Sequence, residues 1–133
     1  MSNRRAIEIE GFGHGANPIP AASRIGNIVV TGGVSGVDTR TGKMPEDAPM
    51  QCANMFANLR RILDAAGATP GDVIKLAVWI KHAAVREAVN KEWVVMFPDP
   101  HSRPARHTMF YDQLANGMLV QCEAWAVLGG DEG

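Results

Sequence analysis

Arg106 stands near the start of an apolar run, Pro104-Ala105-Arg106-His107-Thr108-Met109-Phe110-Tyr111. Burying a guanidinium there is costly unless an anion meets its planar fork of donors. The residue types alone leave two readings open: a rim arginine paired with a neighbouring carboxylate, or a site that grips the carboxylate of a small ligand. Pro104 holds the entry extended, and the run after it reads as a strand. Alternation places Arg106, Thr108 and Phe110 on one face, and Ala105, His107, Met109 and Tyr111 on the other. His107 therefore points away from Arg106 and is expected to pack rather than act as a base.

The other residues able to do chemistry are scattered. His14 is alone in a glycine- and proline-rich loop, residues 11–20. No GKS/T ending or helix start follows that loop, so it is not a phosphate cradle, and His14 is expected to be merely exposed. His82 closes a strand and is expected to be solvated. His101 precedes the Arg106 run and could reach a cleft. Cys52 and Cys122 are far apart and outside any metal-type spacing, which fits buried, reduced thiols rather than a disulfide. No metal and no cofactor are expected. Gly32-Gly33 follow a β-branched stretch, where paired glycines mark a bulge or a close approach by a ligand or another backbone.

These groups need a scaffold. Residues 6–10 alternate as a short strand, 27–31 read as a second, and 34–37 continue the sheet. Asp47 can cap a helix, Pro49 suits its first turn and Gly67 can close it. Between them Cys52, Met55, Phe56, Leu59, Ile62, Leu63 and Ala66 recur at three- and four-residue steps, so one stripe faces a core. Residues 73–80 form a strand with Leu76, Val78 and Ile80 on one face. A second helix over about 83–97 buries Val85, Val89, Trp93 and Met96. The last strand, 118–128, has a small apolar face of Val120, Cys122, Ala124, Ala126 and Leu128, suited to lie under helices. Its other face carries Gln121, Glu123, Trp125 and Val127.

The order β-β-β-α-β-α-β-β predicts an α+β fold, a six-stranded mixed sheet with two helices on one face. A carboxylate beside a tryptophan on the uncovered face fits a subunit interface better than open solvent. The 133 residues make one domain, 1–133. Charged residues are only 20% of the chain, so part of the surface is expected to be covered, by another copy for example. A net charge of -1 argues against a nucleic-acid partner. No run reaches the length of a membrane span and the N-terminus has no signal-peptide core, which predicts a soluble, cytoplasmic protein.

From residue 18 to 128 the chain resembles the RidA/YjgF family, the reactive-intermediate deaminases, often labelled endoribonuclease L-PSP. The resemblance rests on Arg24-Ile25-Gly26-Asn27-Ile28-Val29-Val30-Thr31-Gly32-Gly33, Thr41-Gly42, Ile62-Leu63-Asp64-Ala65-Ala66-Gly67, Asp72-Val73-Ile74-Lys75, Val89-Asn90, Pro104-Ala105-Arg106 and Glu123-Ala124-Trp125-Ala126-Val127, all in family order. It implies a chorismate-mutase-like fold and a homotrimer with clefts between subunits. The activity it implies is hydrolysis of 2-imino acids and their enamine tautomers to 2-keto acids and ammonia.

Residue by residue, the resemblance makes Arg106 the grip on a substrate carboxylate, with Gly33 and Asn90 lining the cleft. Four positions depart from the family pattern. Ile19 stands for a tyrosine, Gly32 for a serine and Thr108 for a cysteine, and Gln121 stands for the glutamate that orients the attacking water. Glutamine holds a water but takes no proton at neutral pH. Glu123, two residues on and ~7 Å away on the same face, could supply the carboxylate, although a structural role fits it better. The expected function is a deaminase-type hydrolase of a small imino or enamine carboxylic acid, with Arg106, Gln121 and Glu123 at the chemistry. Gly33, Ile19, Asn90 and Thr108 would contact the substrate. The alternative is a non-catalytic trimeric module that binds small carboxylates. The ribonuclease of the family label is disfavoured by the absence of a basic patch and of a histidine pair.

Overall fold

In the computed structural model, which describes residues 3–129, seven strands and two α-helices succeed one another. They are β1 Arg5–Ile7, β2 Ala22–Ile25, β3 Ile28–Thr31, β4 Val34–Ser35, α1 Ala48–Ala65, β5 Val73–Ile80, α2 Val85–Met96, β6 Ala105–Phe110 and β7 Val120–Val127. The α+β class and the two helices are as expected, but the sheet has one strand more than the predicted six. The addition is β2, whose Ala-Ser-Arg-Ile carries little β-branched signal. Its pairing comes from the turn: Gly26, at φ 58, and Asn27 form a two-residue loop that sets Ile25 opposite Ile28.

The strands lie in the order β1-β2-β3-β7-β5-β6, with β4 also on β7. Every pairing is antiparallel except β5 with β6, which α2 connects as a crossover. Thus β7 sits mid-sheet and β6 is an edge.

Helix α1 begins and ends where its sequence signals stand. Asp47 accepts the Met50 N–H at 2.8 Å. At the other end Gly67, at φ 83, lets Ala68 and Gly67 donate to the Leu63 and Asp64 carbonyls at 2.8 and 3.0 Å. The buried stripe of α1 (Cys52, Met55, Leu59, Ile62, Leu63) meets Leu76, Val78 and Ile80 of β5 and Val120, Cys122 and Ala124 of β7. Each such aliphatic contributes ~1.5–3 kcal/mol on burial. Both thiols are buried and unbridged, as expected. Burial pushes the Cys52 thiol up to about 12, with Glu92 adding to it, and pushes Cys122 up as well, with a smaller contribution from Glu123.

Three polar side chains of α1 bond to backbone beside the helix, two of them at β4 and the residues just after it. Buried Gln51 donates to the Pro45 and Gly117 carbonyls at 2.7 and 3.0 Å and accepts the Leu119 N–H at 2.8 Å. Asn58 donates to the Ser35 and Val37 carbonyls at 3.0 Å each, and Asn54 to Gly36 at 3.1 Å. Gly36 lies against the Gln51 backbone with no room for a Cβ. Among the described residues no helix lies on the opposite sheet face. Ile28 and Val127 are exposed there, and Trp79 and Trp125 are half-buried.

Candidate functional site

The Arg106 guanidinium lies on the helix side of the sheet, because β6 pairs in register with β5. Arg106 is opposite Leu76 and Thr108 opposite Val78, both core residues under the helices. From above, α2 contributes Asn90, whose Oδ1 accepts Arg106 Nη2 at 2.7 Å, and Trp93, whose ring centre is 4.9 Å from the guanidinium carbon. Stacking and one bond fix the plane of the fork. A second donor nitrogen, Nη1, is shut off from solvent and has no hydrogen-bond partner among the described residues. Burial, and then the charge of Arg86, hold the Arg106 pKa below the usual arginine value. Arg86 itself stacks on Phe110, 5.5 Å from ring centre to guanidinium carbon. Arg106 and Asn90 are thus joined, Thr108 stands two residues on along the same face of β6, and no carboxylate of the same chain is paired to the arginine among the described residues.

Gln121 belongs to a different place. On β7 it pairs with Trp79 and with Ser35, on the face away from the helices. Between the Val30–Trp125 and Val34–Cys122 pairs, Thr31, Gly32 and Gly33 face only Ala124 and Glu123. That extra residue is a β-bulge, as the paired glycines suggested. Thr31 stabilises it: its Oγ1 accepts the Ala124 N–H at 2.9 Å and donates to the Gly32 carbonyl at 2.7 Å. The bulge sets Gly33 directly on Gln121. A Cβ at Gly33 would stand 2.6 Å from Gln121 Nε2 and 2.9 Å from its Cδ.

A cleft of about 600 Å³ opens at this point, lined by Gly33, Ser35, Gln121, Asn116 and the loop after β1. That loop brings in His14, contrary to the expectation of a merely exposed histidine. Its Nε2 lies 2.9 Å from the Gly33 carbonyl oxygen, and its ring meets Phe12 edge-on with centres 5.6 Å apart. Its Nδ1 is buried without a partner among the described residues. The sequence signal that could have found it was the glycine spacing around it: Gly11 and Gly15 adopt φ of 80 and 66, so the loop folds back onto the sheet.

The remaining expected residues divide. Glu123 is half-buried on the face of Gln121, paired with Ala77, but does not line the cleft. Ile19 is 53% exposed and is also absent from the lining. His107 points away from Arg106 as read, yet it is exposed rather than packed within the chain. His101 is exposed and lines a separate depression beside Phe97 and Arg103. No group of three or more His, Cys, Asp or Glu side chains among the described residues could hold a metal ion. No helix there is long and apolar enough to cross a membrane.

Comparison with known proteins places this geometry in context. The sequence profile described as Endoribonuclease L-PSP matches residues 15–128. The 2-iminobutanoate/2-iminopropanoate deaminase of Escherichia coli strain K12 is 27% identical over 124 residues, covering 92% of this chain and 97% of that protein. A RutC family protein of Haemophilus influenzae is 31% identical over 112 residues, covering 83% of this chain and 86% of its own length. Among solved structures, a putative endoribonuclease from Thermotoga maritima superposes with a TM-score of 0.86 at 28% identity, covering 95% of this chain and 98% of the other. E. coli TdcF with bound serine gives 0.84 at 27% identity, covering 92% and 98%.

Proposed function

The chain belongs to the RidA/YjgF (endoribonuclease L-PSP) family, and from that premise we propose that it hydrolyses a small 2-imino or enamine carboxylic acid to a keto acid and ammonia. The observation that carries this reading is the Arg106 fork: one donor held by Asn90, the plane backed by Trp93, and a buried Nη1 without a partner. An enclosed donor of this kind is the complement of a carboxylate oxygen. The name of the E. coli relative, a 2-iminobutanoate/2-iminopropanoate deaminase, supplies the substrate class.

The carboxylate would be held at Arg106, and the carbon carrying the imine would face Gln121. Within one chain the two are on opposite sheet faces. We therefore place the working site between copies, with Arg106 from one subunit and the Gly33–Gln121 cleft from its neighbour, in a homotrimer. The bare sheet face with exposed Ile28 and Val127 suits such a contact. Imine hydrolysis has a modest barrier, so a clamp and a positioned water contribute much of the rate. Gln121 would hold that water; Gly33, Asn90, Thr108 and Ile19 would border the substrate, and Glu123 would act as structure beside Gln121. The test is ammonia or keto-acid release from 2-iminobutanoate generated in situ. A rate above buffer supports the deaminase. Ketoacid binding with no such rate would instead mark a binding module.

A further inference from the structure

We propose that His14 is the proton acceptor of the cleft, taking through Nδ1 the proton of the attacking water that Gln121 beside it cannot take. This rests on the deaminase reading. Among the described residues lining the cleft, His14 is the only one whose side chain is an acid–base group rather than a hydroxyl, amide or apolar group. Gln121, Asn116, Asn17 and Ser35 can hold a water but remain neutral.

The tautomer follows from the geometry. A carbonyl oxygen only accepts, so the 2.9 Å contact to Gly33 requires the proton on Nε2 of the neutral ring. The lone pair is then on Nδ1, the atom that is buried and unpartnered. Phe12 holds the ring edge-on, so the tautomer and the ring plane are both set. His14 and Gln121 meet on the same residue, one at the carbonyl of Gly33 and the other against its Cα. In this proposal the attacking water is seated between the Gln121 amide and the ring. The loop that carries His14 has glycine at 11, 13 and 15, and a Cβ at 13 or 15 would touch nothing within 4 Å. The proposed role requires that loop to shift enough to admit a water to Nδ1, and the open space at 13 and 15 leaves room for it.

The step balances without a further reactant. The water oxygen attacks the imine carbon, a C–O bond forms, and the C=N pair moves to nitrogen. The water's proton goes to Nδ1. The imidazolium passes it to the nitrogen, giving a neutral carbinolamine. The hydroxyl proton then travels through Nδ1 to the same nitrogen, the C–N bond breaks as the C–O bond becomes a carbonyl, ammonia leaves and the ring is neutral again.

His14→Gln separates this role from a strut holding Gly33, because the amide still donates to the Gly33 carbonyl but accepts no proton. The proposal expects kcat to fall by about a hundredfold, with ketoacid affinity unchanged within about twofold. Adding Gln121→Glu to that variant should recover roughly tenfold or more, since it returns a proton acceptor to the same spot. Full activity in His14→Gln, or no recovery in the double variant, overturns the assignment of His14. A native protein inactive on every imine overturns the deaminase reading itself.

Discussion

Arg106 and Gln121 occupy opposite faces of one sheet, two strands apart, so no motion of either side chain brings them together within a chain. The lateral offset alone is roughly 10 Å at two strand spacings. A ligand that bonds to both must span two copies. The apolar residues left bare on the Gln121 face, Ile28 and Val127, are a surface that a second copy would cover.

Ligand affinity should depend on Arg106. Truncating one partner of a desolvated charge pair costs ~2–5 kcal/mol, so Arg106→Ala should remove measurable 2-ketobutyrate binding by calorimetry. The circular dichroism spectrum should not change, because the guanidinium is half-buried at an edge strand and touches α2 only through Asn90 and the half-buried Trp93.

Two glycines three residues apart should respond differently to alanine. At Gly36 the new methyl would meet the Gln51 backbone, which cannot yield without moving α1. Gly36→Ala should lose at least ~1–3 kcal/mol in denaturant unfolding. At Gly33 its three nearest atoms would all belong to the flexible Gln121 side chain. Gly33→Ala should fold with nearly native stability and lose activity, because Gln121 must swing out of place. Equal stability losses at both would show that the bulge is not seated as described.

Part of this was legible in the sequence. The helix bounds were written in Asp47, Pro49 and Gly67, which act locally, and the bulge in Gly32-Gly33. Strand β2 was not, since its pairing depends on a glycine turn and on partners that Ser23 and Arg24 do not advertise. Arg106 stood out because a charge in an apolar run needs an explanation. His14 did not, because its significance lies in a contact with Gly33 that only the folded loop creates. Alternation within β6 and β7 was read correctly, but the relation between their faces needs the register through β5.

The buried thiols set an alkaline limit on stability. Their folded pKa values are raised above the ordinary 9.0, so the folded state disfavours the thiolates. Their contribution is intact below pH 9 and is lost as pH climbs through the range in which unfolded thiols ionise, from about 9 toward about 12 for Cys52. The urea midpoint should fall in that window. In a Cys52→Ala/Cys122→Ala variant the fall should be shallower. An equal slope in both proteins would assign the alkaline loss to other groups.

The shared cleft itself is tested most directly by mixing two disabled chains. Arg106→Ala and Gln121→Ala should each be close to inactive alone. Unfolded together in equal amounts and refolded, they should form mixed oligomers in which about a quarter of the clefts pair an intact Arg106 with an intact Gln121 from the neighbouring copy. The account predicts recovery of about a quarter of native imine hydrolysis. A mixture no more active than either variant refolded alone would contradict a site built between subunits.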